Sequence, residues 1–121
     1  MKIAITSAGD TLSSQLDPRF GRSVFFIILD TETMNFKTIE NSNTAAGGAG
    51  IGAAKLIIDS GAQAVLTGNC GPNAERTLSS ANISLYTGLT GTVSQVVELF
   101  KNQKISPALG PNVESNFGMG I

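Results

Sequence analysis

With 121 residues, 41% of them hydrophobic and 14% charged, the chain has the make-up of one globular domain and is too apolar for an intrinsically disordered segment. Its net charge of −1 comes from eight basic and nine acidic residues scattered along the sequence, which excludes a cationic stripe for a run of phosphates, so nucleic acid is not an expected partner. The longest apolar stretch, Val24 to Leu29, is only strand-sized, the start carries no leader pattern, and the single cysteine, Cys70, cannot form an internal disulfide, so no membrane partner and a cytoplasmic location are expected.

In chain order, Lys2 to Thr6 is apolar and β-branched enough for a first strand, and Ser7–Ala8–Gly9–Asp10 breaks it. Thr11 to Arg22 is polar and punctuated by Asp17–Pro18 and Gly21, which predicts a long loop, a common seat of function. Val24 to Leu29 is continuously apolar, as a strand covered on both faces requires, and a polar turn leads from it into a third strand, Phe36 to Glu40. Gly47–Gly48–Ala49–Gly50 opens a helix whose apolar residues Ile51, Ala54 and Ile58 recur at helical spacing, with Gly61 as its stop. Gln63 to Thr67 is the fourth strand, Pro72 starts the second helix, Ile83 to Thr87 is the fifth strand, and Thr92 is the expected N-cap of a final amphipathic helix reaching Phe100. Residues 1–104 form the predicted domain. Residues 105–121, rich in Gly, Pro, Asn and Ser, read as a flexible C-terminal tail.

Two antiparallel steps followed by right-handed helical crossovers point strands 1, 3, 4 and 5 the same way in one mixed sheet. Their C-terminal ends then share an edge that collects the loops 7–22, 41–50, 68–71 and 88–91. Ligands of open α/β sheets settle in such a crevice.

Three features on that edge carry chemistry. The glycine turn at 47–50 leaves backbone N–H groups and the positive end of a helix dipole open to an anion, although it has neither a Walker lysine nor a dinucleotide fingerprint and serves equally as a tight turn. Arg19 and Arg22 flank Phe20–Gly21, where they either meet an arriving anion or stay solvated. Cys70 lies between a strand end and a helix start. A dipole aimed at it would lower its pKa and expose its sulfur as a soft metal ligand, whereas the other reading is a small buried residue. The chain has no histidine, which removes the usual general base and the usual metal ligand, and the first strand carries no acidic residue for two-metal hydrolysis. A non-enzymatic protein is expected.

Taken together, Asp17–Pro18–Arg19–Phe20–Gly21–Arg22, Gly47–Gly48–Ala49–Gly50–Ile51, Gly68–Asn69–Cys70–Gly71–Pro72–Asn73–Ala74 and Gly91–Thr92–Val93 resemble, in order, the motifs of the dinitrogenase iron–molybdenum cofactor biosynthesis family. The resemblance runs from residue 1 to about residue 104. It implies a three-layer α/β ribonuclease H-like fold with a mixed five-stranded sheet, strand 2 antiparallel. It also implies a non-catalytic carrier for an anionic metal–sulfur cluster: an iron–molybdenum cofactor precursor or another molybdenum–sulfide cluster, with or without copper or iron. The partners it implies are cofactor-assembly or acceptor proteins. By motif match, the cofactor-binding residues are Arg19, Phe20, Gly21, Arg22, Gly48, Gly50, Asn69, Cys70 and Gly71, with Cys70 as the one metal ligand. Members tied to nitrogenase often carry histidine in the first loop, next to Phe-Gly, and in the segment before the glycine turn, where this chain has Arg19 and Ala45–Ala46; its tail resembles that of some stand-alone members in which a histidine precedes the Phe, where this chain has Asn116 before Phe117 and Met119. Imidazole ligation is therefore excluded here. The other reading of the same residues is a small regulatory module for a phosphate-bearing metabolite.

Overall fold

The computed structural model describes residues 1–41, 49–108 and 110–111. The elements are β1 (Lys2–Ser7), β2 (Phe25–Asp30), β3 (Phe36–Glu40), α1 (Ala49–Ser60), β4 (Ala64–Leu66), α2 (Pro72–Ser80), β5 (Ser84–Tyr86) and α3 (Val93–Lys101). All eight are the expected ones, in the expected order. β4 and β5 are shorter than their apolar runs, because pairing covers only Ala64 to Leu66 and Ser84 to Tyr86.

The five strands form one sheet in the order β3-β2-β1-β4-β5. β1 runs antiparallel to β2 and parallel to β4, β2 runs antiparallel to β3, and β4 runs parallel to β5. β2 is thus the one strand opposed to the rest.

The two-residue period of each strand sends its side chains to two separate cores. Ala4, Phe26, Ile28, Val65 and Leu85 pack with Ala53, Ala54 and Ile57 of α1 and with Ala74 and Leu78 of α2. Their neighbours in sequence, Ile3, Ile5, Ile27, Leu29, Ala64 and Leu66, face Val93, Val96 and Val97 of α3. The result is a three-layer α/β/α sandwich, which explains why the middle of β2 is apolar on both faces.

The helix ends follow from local chemistry. Thr92 caps α3 through a capping box: its hydroxyl accepts the Gln95 N–H at 3.2 Å, and its own N–H donates to the Gln95 side chain at 2.8 Å. Pro72 occupies the first turn of α2, where no N–H is needed. Past α3 the chain does pack, at the start of the segment read as a tail. Ile105 joins the α3 core, and two residues after Ser106 the Ala108 N–H donates to the Leu85 carbonyl at 2.7 Å while its side chain reaches the α1/α2 core. This segment therefore passes across the outer edge of β5.

Candidate functional site

The C-terminal ends of β1, β3, β4 and β5 meet on one edge of the sheet, and the loops after β1, β4 and β5 are stitched together there. The 8–24 loop forms short bridges to both neighbours, Gln15 with Thr92 and Arg19 with Asn69. The Asn69 N–H donates to the Pro18 carbonyl at 2.7 Å, the Phe20 N–H to the Asn69 carbonyl at 3.0 Å, and the Leu16 N–H to the Gly91 carbonyl at 2.9 Å. Segments some 50 to 75 residues apart in sequence are thereby held side by side.

Two glycines make this approach possible. A Cβ on Gly21 would stand 2.9 Å from both Cα and N of Gly50, and one on Gly68 would stand 2.8 Å from Cα of Pro18. Both encounters are with backbone, which cannot move aside as a flexible side chain can. Gly50, in the first turn of α1, is in turn tight against the Ala74 methyl of α2, at 3.2 Å. The arginine loop, the start of α1 and the loop before α2 thus share one patch.

A buried polar network supports the patch from below. Thr6 Oγ1 donates to the Asp17 carbonyl at 2.7 Å and lies 2.9 Å from Thr67 Oγ1. The Ser23 hydroxyl accepts the Ser7 N–H at 3.1 Å and donates to the Phe25 carbonyl at 2.7 Å. The Asn41 amide donates to the carbonyls of Gly21 (3.1 Å) and Ser23 (2.8 Å). Among the described residues no buried side-chain nitrogen or oxygen is left without a partner. These groups hold the loop in one conformation.

The structure brings Arg19, Gly21, Gly50, Asn69 and Gly71 to the patch. The Arg19 side chain is about 40% exposed, and Arg22 is half-buried. Gly48, together with the rest of 42–48, lies outside the described residues, as do Asn116 and Met119. Phe20 is in the core, 1% exposed, with its ring centroid 5.8 Å from that of Phe26. It anchors the loop from beneath and does not present its ring at the surface.

Cys70 departs from the expectation of an exposed thiol with a lowered pKa. It is 1% exposed among the residues under α1 and α2, and its thiol donates inward to the Gly71 carbonyl at 3.7 Å. Burial, with the Glu75 carboxylate adding to it, pushes the pKa up to about 12 from 9.0. The backbone of 68–71 turns the side chain toward the core before α2 begins, and desolvation outweighs any help from the helix dipole. A thiol that ionises less readily folded than unfolded favours the folded state fully below pH 9, and that contribution fades as pH rises toward 12. Stability is therefore expected to fall with rising pH across that window because of this group. Denaturant melts of the wild type and Cys70→Ala from pH 8 to 11 check this, and equal pH slopes would contradict it.

Asp17, which the sequence presents only as part of the 17–22 motif, and Asn41 are not among the expected site residues. The carboxylate of Asp17, 3% exposed, accepts the N–H groups of Arg19 and Val24. Its sequence signal is an Asp two residues before an arginine across a proline, the pattern of a side chain bonding its own backbone two positions on. Asn41 offers no such local cue. Among the described residues no group of three or more His, Cys, Asp or Glu could cage a metal ion, and no helix is long and apolar enough to cross a membrane.

Residues 1–103 match the family described as dinitrogenase iron-molybdenum cofactor. The structure resembles the apo form of the orange protein from Desulfovibrio gigas, with a TM-score of 0.91 and 39% identity over 93% of this chain and 96% of that one. It also resembles a candidate NifB protein from Thermotoga, with a TM-score of 0.78 and 33% identity over 88% and 91%. An uncharacterized protein of Methanocaldococcus jannaschii is 33% identical over 109 residues, 87% of this chain and 89% of its own length. Fold, loops and likenesses together define a small cofactor-related protein with a three-layer ribonuclease H-like fold. The chain belongs to the dinitrogenase iron-molybdenum cofactor family, which is associated with cofactor assembly and metal clusters.

Proposed function

We propose that this chain is a non-catalytic cytoplasmic carrier that holds a preassembled, anionic molybdenum–sulfide cluster, with or without iron or copper, and passes it to a cofactor-assembly or acceptor protein. The observation that carries the reading is the meeting of the Arg19–Arg22 loop, the start of α1 and the Asn69–Gly71 loop on one patch, in a member of this family. Guanidinium and backbone N–H donors suit the sulfide surface of a cluster whose metals are already satisfied by their own sulfides. The donor set fits that cargo and not a bare metal ion, since the described residues offer no cage of three or more ligands.

Within this reading Arg19, Arg22, Gly21, Gly50, Asn69 and Gly71 form the contact surface, Gly48 belongs with them by motif match alone, and Phe20 supports it from the core. Cys70 ligates a cluster metal only when the 68–72 loop turns the sulfur outward. The test is anaerobic addition of tetrathiomolybdate, alone and with Cu(I), followed by desalting, metal analysis and a visible spectrum. Retention of about one cluster equivalent with a charge-transfer band is expected. A colourless, metal-free protein after desalting would overturn the carrier role, and thermal protection by phosphate or nucleotides in that case would install the phosphate-metabolite module in its place.

A further inference from the structure

Arg19, though its side chain is partly exposed, is held by a buried carboxylate. Asp17 Oδ1 accepts the Arg19 N–H at 3.0 Å and lies 3.4 Å from Arg19 Nε, while Oδ2 accepts the Val24 N–H at 3.2 Å. A carboxylate only 3% exposed is sustained by these N–H groups and by the cation beside it. Its backbone is fixed as well: the Asp17 N–H donates to the Thr6 carbonyl at 3.0 Å and its carbonyl accepts from Thr6 Oγ1 at 2.7 Å, both on β1.

The division of labour between the two carboxylate oxygens matters. An arginine paired end-on or fork-to-fork with a carboxylate spends two N–H groups and most of its field on that partner. Here Oδ2 accepts the Val24 N–H, and the contact with the guanidinium runs from Nε to Oδ1 at 3.4 Å. The four Nη–H donors at the outer end of the side chain take no part in this pairing and can serve another acceptor. A flexible arginine has about 2 kcal/mol of rotamer freedom to lose on binding, and a side chain already oriented loses less of it.

We propose that Asp17 is the positioning residue of the patch: its carboxylate orients the Arg19 guanidinium, Nη groups outward, toward an anionic cargo, and clamps Arg19 and Val24 on either side of Phe20–Ser23. The identity of the cargo rests on the carrier reading above, whereas the Asp17–Arg19 geometry stands independently of it.

The test is a double-mutant cycle with tetrathiomolybdate as the probe. Asp17→Asn keeps the size and one acceptor but loses the charge. It is expected to weaken binding about five- to tenfold when Arg19 is present and less than about twofold in Arg19→Gln. Equal losses in both backgrounds would overturn the proposal, since a residue that merely supports the fold acts regardless of Arg19. Arg19→Lys, at an exposed side chain where folding is not at stake, keeps the charge but has no Nε to hold. It is expected to bind as weakly as Arg19→Gln, and wild-type affinity would overturn the proposal. A third readout needs no cargo: the Arg19 Nε–H signal in NMR is expected to exchange slowly in the wild type and rapidly in Asp17→Asn. Fast exchange already in the wild type overturns the positioning role. A slow signal in a wild type that binds no thiomolybdate overturns the carrier reading and upholds the geometry.

Discussion

Truncating Phe20 to alanine is expected to lower folding stability by about 3–5 kcal/mol, measured by chemical denaturation without any cargo. The ring is 1% exposed and tilted against Phe26 on β2, so its removal opens a cavity beneath the loop that carries Arg19 and Arg22. Cavity and lost burial act together, and the surrounding strands are too firmly paired to close the space. Phe20→Leu, which keeps most of the volume, is expected to lose much less. A loss below about 1 kcal/mol for the alanine variant would show that the loop is not anchored through this ring. The distinction matters for the patch, because a ring that served the cargo directly would leave the stability of the empty protein unchanged.

The second large effect is expected at Gly68. An alanine Cβ there would stand 2.8 Å from Cα and 2.9 Å from the carbonyl oxygen of Pro18. Neither atom can retreat without separating the two loops, which would break the bonds from Asn69 to Pro18 and from Phe20 to Asn69. Overpacking of this kind costs about 1–3 kcal/mol, with about 1 kcal/mol more for each hydrogen bond that fails to re-form. Because the same contact joins the arginine loop to the Asn69–Gly71 loop, tetrathiomolybdate affinity is expected to drop about tenfold or more, the equivalent of about 1.4 kcal/mol. Gly110→Ala, where a Cβ meets nothing within 4 Å among the described residues, is the control and is expected to change neither stability nor uptake. Unchanged uptake by Gly68→Ala would show that the two loops do not act as one surface.

The elements of this fold are legible in the sequence because each is announced locally. Phe36 to Glu40 is bounded by polar turns and is found at those residues, Pro72 marks the start of α2, and Thr92 with Gln95 spells out a capping box. Strand order and direction follow from connection rules once the elements are placed. The convergence of the loops on one sheet edge follows from the same step.

What the sequence does not disclose is which way the loop side chains point. Cys70 and Phe20 both sit in polar, glycine-rich stretches, yet both turn into the core under α1 and α2. That choice is made by the pairing of 18–20 with Asn69, a contact between segments about 50 residues apart, to which no local pattern is sensitive. Asp17 is hidden for a related reason. Among nine scattered acidic residues nothing marks it as buried until β1 places the Thr6 carbonyl and hydroxyl against its backbone.

The crossing of the chain over β5 bears on how the sheet protects itself. An outermost strand offers a row of unpaired backbone groups to any other extended chain, and a three-residue strand has little of its own to resist fraying. β5 is both outermost and three residues long, and the bond from Ala108 to Leu85 closes it like a clasp fastened across from the opposite core. The other border, β3, exposes Phe36 and Lys37 at its start and Glu40 at its end, the last two being charges that discourage strand addition. The molecule thus seals one border with its own chain and guards the other with charge. A version trimmed after residue 104 would give up the seal, so the first few residues beyond the last helix belong to the folded unit even though they form no element of their own.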